Sequence, residues 1–281
     1  MNLVNLLWLL RRTLFSAFND GCIGFAKGAA YSATLSFFPV LTSAAAILVQ
    51  TRAQFVASTL EGFLSQIVPP GTEELVVQQF RVMGARPLAI LIGAGMVSLW
   101  AASGVIRSLI EGFEAAYRVP RSRGVIHGIA ISMAMVLLSA VPLLFTSLLL
   151  LFGGQVEPVV LRWLVADPIL SPVSWAWTLF GRAMRYALAF ATTVSITSAL
   201  YYFGPNRRQR WSSVWRGATV STVLWFLATL GFAWYVRHLA GYNVIYGSIS
   251  AGIALMVWMY LIAFIALVGC EFNAEYERAN A

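Results

Sequence analysis

Residues 247–269 read GSISAGIALMVWMYLIAFIALVG and contain no Asp, Glu, Lys or Arg. A transmembrane α-helix needs about 20 consecutive, mostly apolar residues to cross the hydrocarbon core of a bilayer. A soluble helix of this length would carry charged residues on its water-facing side, and this stretch has none. The stretch therefore predicts a membrane-spanning helix.

Five more apolar stretches of similar length lie between charged residues earlier in the chain. Together they predict six membrane spans, near 29–50, 87–106, 129–151, 186–204, 217–236 and 247–269. Two longer connections, 52–86 and 153–181, have amphipathic patterns and are expected to rest on the bundle or on the membrane surface. We predict an all-α polytopic membrane protein with short extramembrane helices and a single integral membrane domain over residues 1–281.

The composition supports this class. Of the 281 residues, 59% are hydrophobic and 11% are charged, whereas an ordinary soluble domain carries about 25% charged residues. The chain has eleven acidic residues, two His and two Cys. These are too few to suggest a metal or hydrolytic centre, so we expect no enzyme activity, metal or cofactor. The two cysteines, Cys22 and Cys270, imply no disulfide framework.

The basic residues predict an orientation in the membrane. If the N-terminus is cytoplasmic, 12 of the 19 Lys and Arg residues fall in cytoplasmic segments and 7 on the opposite side. Cytoplasmic loops are usually the ones enriched in Lys and Arg. Both termini are therefore expected in the cytoplasm. The same bias explains the net charge of +8 without a nucleic-acid partner.

Residues 1–27 precede the first predicted span and have an amphipathic pattern. Leucines recur at helical spacing on one face, and the helix is expected to end near Asp20-Gly21. This pattern favours a helix that lies in the membrane interface. The alternative is an ordinary helix that packs against the bundle.

The first predicted span combines small residues, hydroxyl groups and a proline, with Tyr31, Ser32, Ser36 and Pro39 as its candidate residues. A proline inside a helix frees a backbone carbonyl and favours a kink. A kinked helix lined by hydroxyl groups would suit a substrate path or a gate. Close packing between helices would produce the same composition, so both interpretations stay open.

Charged residues at the predicted span ends form a second group of candidates. Arg107 and Glu111 are four residues apart and could pair on a helix as part of a cytoplasmic gate, or as an ordinary surface pair. Glu271 lies at the membrane boundary, where an acid is costly unless it is solvated or paired. We expect it to pair with a basic residue of another helix, and Arg107 is the candidate. Asn273 follows in the same segment.

Other polar residues at span ends could contact a substrate or lipid headgroups. The Arg-rich loop after the fourth span could bind anionic headgroups or phosphate, although positive-inside bias alone would also explain it. The remaining candidates are Arg182, Arg185, Asn206, Arg207, Arg208 and Tyr246.

Several segments together resemble the YihY/BrkB family of bacterial inner-membrane proteins. These segments are Ala30–Pro39, Trp100–Tyr117, Tyr202–Arg208, Tyr246–Ser248 and Gly269–Glu275. The family usually has an alanine where this chain has Cys270, which argues against a role for that thiol. The resemblance implies a bacterial inner-membrane protein. Family members have carried ribonuclease BN, virulence and serum-resistance labels.

The ribonuclease label has no support in this sequence, because a metal-dependent nuclease needs carboxylates or His that converge on a metal. The first functional hypothesis is a transporter-like or lipid-handling protein of the bacterial inner membrane. Its partners would be membrane lipids, including anionic phospholipid. The alternative is an envelope assembly or scaffold factor that binds partner proteins or a second copy of the chain.

Overall fold

The computed structural model describes residues 3–50, 88–120, 124–164, 174–238 and 250–280. All regular elements in these ranges are α-helices, in the order α1 (Leu3–Asn19), α2 (Cys22–Gln50), α3 (Leu88–Ala116), α4 (Val125–Leu164), α5 (Ser174–Phe203), α6 (Trp211–His238) and α7 (Ser250–Asn280). The all-α prediction is confirmed for these residues. The predicted connection 52–86 and the candidate Tyr246 lie outside the described residues.

Each of the six predicted spans coincides with one of the helices α2 to α7, but the helices are longer. The fourth span ends one residue past α5, and positions 87 and 247–249 of the second and sixth spans lie outside the described residues. α3 continues ten residues past position 106, and α7 continues eleven residues past position 269. Charge-free stretches locate the apolar part of a helix, whereas a helix continues through charged residues that find partners. The predicted connection 153–181 likewise begins as a continuation of α4, to Leu164, and ends as the start of α5, at Ser174.

Four of the described helices are long and apolar enough to cross a membrane, over Ile92–Ala116, Val125–Leu144, Trp211–Tyr235 and Gly252–Asn280. The described parts of α2 and α5 do not meet that criterion. The first carries Lys27 and several hydroxyl residues, and the second carries Arg182, Arg185 and a run of Thr, Ser and Tyr. The chain is a polytopic helical membrane protein, with four such helices in its described residues instead of the predicted six.

The turn between α1 and α2 is tight. α1 ends at Asn19, and Gly21 adopts the left-handed conformation (φ 74°) that glycine allows without a steric cost. The predicted helix end near Asp20-Gly21 is confirmed. However, residues 22–27, which the sequence groups with the amphipathic N-terminal segment, open α2.

α7 packs against most of the other helices. α3, α4, α5, α6 and α7 contact one another in chain order, and α7 returns to α3, so these five helices form a closed ring of contacts. α2 packs across α3 and α7, and α1 lies on α7. This arrangement brings α1, the start of α2, the ends of α3, α5 and α7, and the start of α6 to one end of the bundle.

The main buried cluster lies at this end. It includes Phe113, Tyr201 and Leu267, and the rings of Phe113 and Tyr201 meet edge to face at 5.1 Å. Large apolar side chains on the outer faces of α3 to α6, by contrast, are exposed in the isolated chain. Such outward-facing apolar surface is expected of helices that contact lipid.

Candidate functional site

The last turns of α7 bury an unusual number of polar side chains. Glu271 and Asn273 are fully buried, and Glu275 is 2% exposed. We call residues 269–278 the α7 polar segment. Successive helical residues are rotated by about 100°, so Glu271 and Glu275 point to one side and Asn273 to the other. Buried polar groups need partners, and these partners come from four different parts of the chain.

Glu275 joins α1 to α7. Its carboxylate pairs with Arg12 Nε at 2.5 Å and accepts a hydrogen bond of 2.8 Å from Ser16 Oγ. It also pairs with Arg278, one helical turn further along α7. Arg278 in turn donates to the main-chain oxygen of Ala116 at 2.5 Å. A single buried carboxylate thus ties the ends of α1, α3 and α7 together.

Asn273 joins α7 to α6. Its Oδ1 accepts from the Gly217 main-chain nitrogen at 2.7 Å, and its Nδ2 donates to the Val214 oxygen at 2.9 Å. The two helices cross closely here because Gly217 faces Gly269. A Cβ on Gly217 would lie 2.0 Å from the Gly269 oxygen, and one on Gly269 would lie 1.7 Å from Ser221 Oγ. This is the small-residue packing by which helices approach closely in membranes.

Tyr201 fastens α5 to the same crossing. Its hydroxyl is 2.7 Å from Ser221 Oγ and donates to the Ala266 oxygen at 2.5 Å. The Tyr201 side chain is fully buried, so this hydroxyl would be costly to bury without these partners. The tyrosine therefore holds the end of α5 against both α6 and α7.

Glu271 faces the α1–α2 turn. Cys22 Sγ lies 4.0 Å from Glu271 Oε1, and the Glu271 carboxyl lies against that of Asp20. Asp20 Oδ2 and Glu271 Oε2 are both buried, and neither has a hydrogen-bond partner among the described residues.

The predicted pair between Arg107 and Glu271 is wrong. Gly28 of α2 faces Ser108 of α3, the residue next to Arg107. The level of Cys22 and Glu271 lies six residues, roughly 9 Å of helix rise, beyond that contact. Arg107 Nε is buried without a hydrogen-bond partner. Glu111, which the sequence offers as a partner of Arg107 on the same helix, is exposed.

The Cys22 thiol stays protonated at neutral pH. Burial, reinforced by the nearby carboxylates of Glu271 and Asp20, raises the pKa of Cys22 to about 12. A thiol reacts as a nucleophile mainly through its thiolate. Cys22 and the fully buried Cys270 therefore have the environment of packing residues.

The candidates of the first predicted span lie at a helix contact or on the surface. Ser32 Oγ would lie 2.9 Å from a Cβ on Gly104, so α2 and α3 approach closely at this point. Ser36 is buried and donates to the Ala33 oxygen of its own helix at 2.9 Å. Tyr31 is 64% exposed, and Pro39 lies within α2, which continues to Gln50. Ser32 therefore makes the contact expected of close packing between helices, rather than of a substrate path.

The loop between α5 and α6 contains the predicted Arg cluster. Arg207 pairs with Glu277 at 2.5 Å, and its guanidinium lies 4.0 Å from the ring centre of Tyr117. Gln209 Nε2 donates to the main-chain oxygens of Tyr201 and Tyr202, which caps the end of α5. Asn206 and Arg208 are exposed.

A pocket of about 580 Å³ lies within this loop, and we call it the loop pocket. Two of its seven lining residues are arginines and none is acidic. They are Tyr202, Phe203, Pro205, Asn206, Arg207, Arg208 and Gln209.

A second, apolar space lies between α4 and α5, where the sequence predicted nothing. This α4–α5 groove has a volume of about 470 Å³ and is open along one side. It runs from Leu188 to Phe203 on α5 and from Met135 to Pro142 on α4. Arg182 and Arg185, predicted as substrate-facing charges, are on α5 but do not line it.

Sequence reasoning selected Glu271 and Asn273 but missed Glu275, Tyr201 and the Gly217–Gly269 crossing. The spacing of Glu271 and Glu275 is one available signal, because residues four apart share a helix face. Among the described residues, no group of three or more His, Cys, Asp and Glu side chains comes together as a metal site would require.

Comparison with known proteins is consistent with a membrane protein. The chain is 27% identical over 248 residues to the putative ribonuclease-like protein YfkH of Bacillus subtilis, which covers 87% of this chain and 86% of that protein. It is 27% identical to a UPF0761 membrane protein of Tolumonas auensis (95% and 87% covered) and 28% identical to one of Vibrio vulnificus (87% and 74% covered). No solved structure matches the chain.

A family model described as virulence factor BrkB matches residues 14–281. The matched range takes in nearly every described contact of the α7 polar segment, and it includes both the α4–α5 groove and the loop pocket. The chain therefore belongs to the virulence factor BrkB family.

Proposed function

We propose that this protein is a transporter-like or lipid-handling protein of the bacterial inner membrane that acts without covalent chemistry. The single observation that carries the proposal is the α4–α5 groove. It lies between two long helices and opens sideways, and its wall on α4 belongs to a candidate membrane span. A ligand that enters from the side at this depth must come from the lipid phase.

The chemistry of the groove favours an apolar ligand. Three hydroxyl residues line it, but Ser139, Thr192 and Ser195 donate to the oxygens of Met135, Leu188 and Ala191 on their own helices, at 2.7 to 2.8 Å. Each hydroxyl has one proton to donate, so the groove offers no free hydroxyl donor. A hydrocarbon chain could occupy it without leaving a polar group unpaired.

The proposed topology has six spans, with α2 and α5 completing the set, and both termini in the cytoplasm. Its support is that α1 and the end of α7 lie at the same end of the bundle. The Arg-rich α5–α6 loop lies there too, because Arg207 reaches Glu277. Clustering of basic residues at one end is the pattern expected of a cytoplasmic face.

The test is lipid retention by the full chain, purified in a mild detergent and examined by native mass spectrometry. Ser195 lines the groove and is exposed, so Ser195→Trp should fill the groove without disturbing the bundle. Val223→Trp, on an exposed face of α6 away from the groove, is the matched control. We expect bound phospholipid with the unmodified chain and with Val223→Trp, and at least a fivefold loss with Ser195→Trp.

Absence of bound lipid, or equal retention by both variants, would contradict the proposal. A protein that co-purifies in stoichiometric amount while lipid is absent would instead favour the envelope assembly role.

A further inference from the structure

The α4–α5 groove and the loop pocket meet at one residue. Phe203, the last residue of α5, lines both. The groove is apolar and the loop pocket carries two arginines, so the apolar and the charged space adjoin. An amphiphile has the same division into a hydrocarbon part and a polar head.

The dimensions of the groove fit a lipid chain. From Leu188 to Phe203, α5 advances roughly 22 Å at 1.5 Å per residue. One leaflet is half of a hydrocarbon core that is about 30 Å thick. A chain that lies along the groove would therefore reach from the end of α5 past the depth of one leaflet.

The two arginines of the loop pocket are not equivalent. Arg207 is occupied by its ion pair with Glu277 and by the ring of Tyr117. Arg208 is exposed, and it has no acidic partner among the described residues. Arg208 is therefore the side chain whose charge is available to a ligand.

The loop fastens the chain on both sides of Arg208. Pro205 is fully buried, and the Arg207 main-chain nitrogen donates to the Pro205 oxygen at 2.8 Å. On the other side of Arg208, Gln209 is fastened to the end of α5 through its two hydrogen bonds. A fixed loop on both sides of the charge favours binding, because the loop needs no ordering when the ligand arrives.

We propose that the groove and the loop pocket form one binding site for a single anionic phospholipid, with an acyl chain between α4 and α5 and the phosphate at Arg208. This inference rests on the proposed function, and it adds the headgroup class and the orientation. The preference for a net negative headgroup follows from the lining. No acidic residue lines the loop pocket, so the ammonium group of a zwitterionic headgroup would find no carboxylate there.

The experiment compares retention of phosphatidylglycerol and phosphatidylethanolamine by the full chain after exchange into nanodiscs of equal proportions of the two lipids. Arg208→Gln removes the pocket charge. Arg210→Gln is the matched control, because Arg210 is exposed and two residues away but does not line the pocket. We expect the unmodified chain to retain about fivefold more phosphatidylglycerol than phosphatidylethanolamine. A basic residue near an anionic surface contributes about 1 kcal/mol, which corresponds to this ratio.

Arg208→Gln should abolish this preference while total bound lipid is maintained, and Arg210→Gln should leave it intact. Equal loss of preference in the two variants would overturn the inference, since it would indicate only general attraction to the basic loop. Lipid retained by the unmodified chain without preference would also overturn it, yet leave the proposed function standing. Absence of any retained lipid would overturn the proposed function itself.

Discussion

The α7 polar segment and the α4–α5 groove lie in one helical bundle, and they differ in what fills the space between the helices. Around the polar segment, glycines let the main chains touch and hydrogen bonds fix their register. In the groove, three hydroxyl groups turn back to their own helices and leave a space of about 470 Å³.

Inside a bilayer, apolar side chains gain little by leaving lipid for one another, so helices associate through close packing and through hydrogen bonds between helices. The α7 polar segment uses both. The α4–α5 contact lacks both along the groove, and lipid can compete with the neighbouring helix for the same surface. The comparison suggests that one region maintains the architecture and the other is available to a ligand.

The largest effect is expected at the glycine crossing. In Gly269→Ala the new Cβ would lie 1.7 Å from Ser221 Oγ and 2.7 Å from the Gly217 oxygen. We expect the free energy of unfolding to fall by about 3 kcal/mol, the upper part of the usual range for overpacking. Unfolding by increasing SDS in mixed micelles would measure it.

Gly231→Ala is the control for this change, because a Cβ on Gly231 of α6 meets nothing within 4 Å. Alanine is the better helix former, so this control should be neutral or slightly stabilising. If both alanine variants unfold at the same SDS fraction, the close crossing is not what holds α6 to α7.

The next effect separates the two buried glutamates of α7. Glu275→Gln removes the acceptor charge shared by Arg12 and Arg278, and we expect a loss of about 2 kcal/mol, since hydrogen bonds to charged groups contribute about 1.5–3 kcal/mol. Glu271→Gln should be close to neutral, because none of the described ion pairs involves Glu271 and the amide replaces a buried acid with an uncharged group.

The same SDS titration applied to the two glutamine variants decides this point. Equal destabilisation by both would mean that burial alone, rather than pairing with arginine, sets the contribution of each glutamate.

The smallest of the three effects concerns Asn273. Asn273→Ala removes two hydrogen bonds to the main chain of α6. We expect the free energy of unfolding to fall by about 1–2 kcal/mol, because a typical hydrogen bond contributes about 1 kcal/mol. Asn280→Ala is the control, because Asn280 is exposed and bonds only within its own helix. A stability of Asn273→Ala equal to that of Asn280→Ala would show that Asn273 is dispensable for the α6–α7 contact.

The sequence located the helices better than their ends or their partners. The gap between Arg237 and Glu271 placed α7 correctly, because the absence of charge is a local property. The partner of Glu275 is Arg12, at the other end of the chain, and no local pattern specifies such a pair. The groove could not be predicted from the sequence, because no local pattern distinguishes it. Its Leu, Ala, Ser and Thr residues have the composition of a tightly packed helix face.

The contacts of α7 have a consequence for the order in which the bundle is assembled. α7 follows in the chain every helix that it contacts, namely α1, α2, α3, α5 and α6. Domains are built as the chain emerges from the ribosome, N-terminal parts first. Until α7 is inserted, Arg12 lacks its carboxylate and the ring from α3 to α6 stays open. A chain that stalls before α7 would therefore present an incomplete bundle to membrane proteases, and completion of the fold depends on the last of these helices to be synthesised.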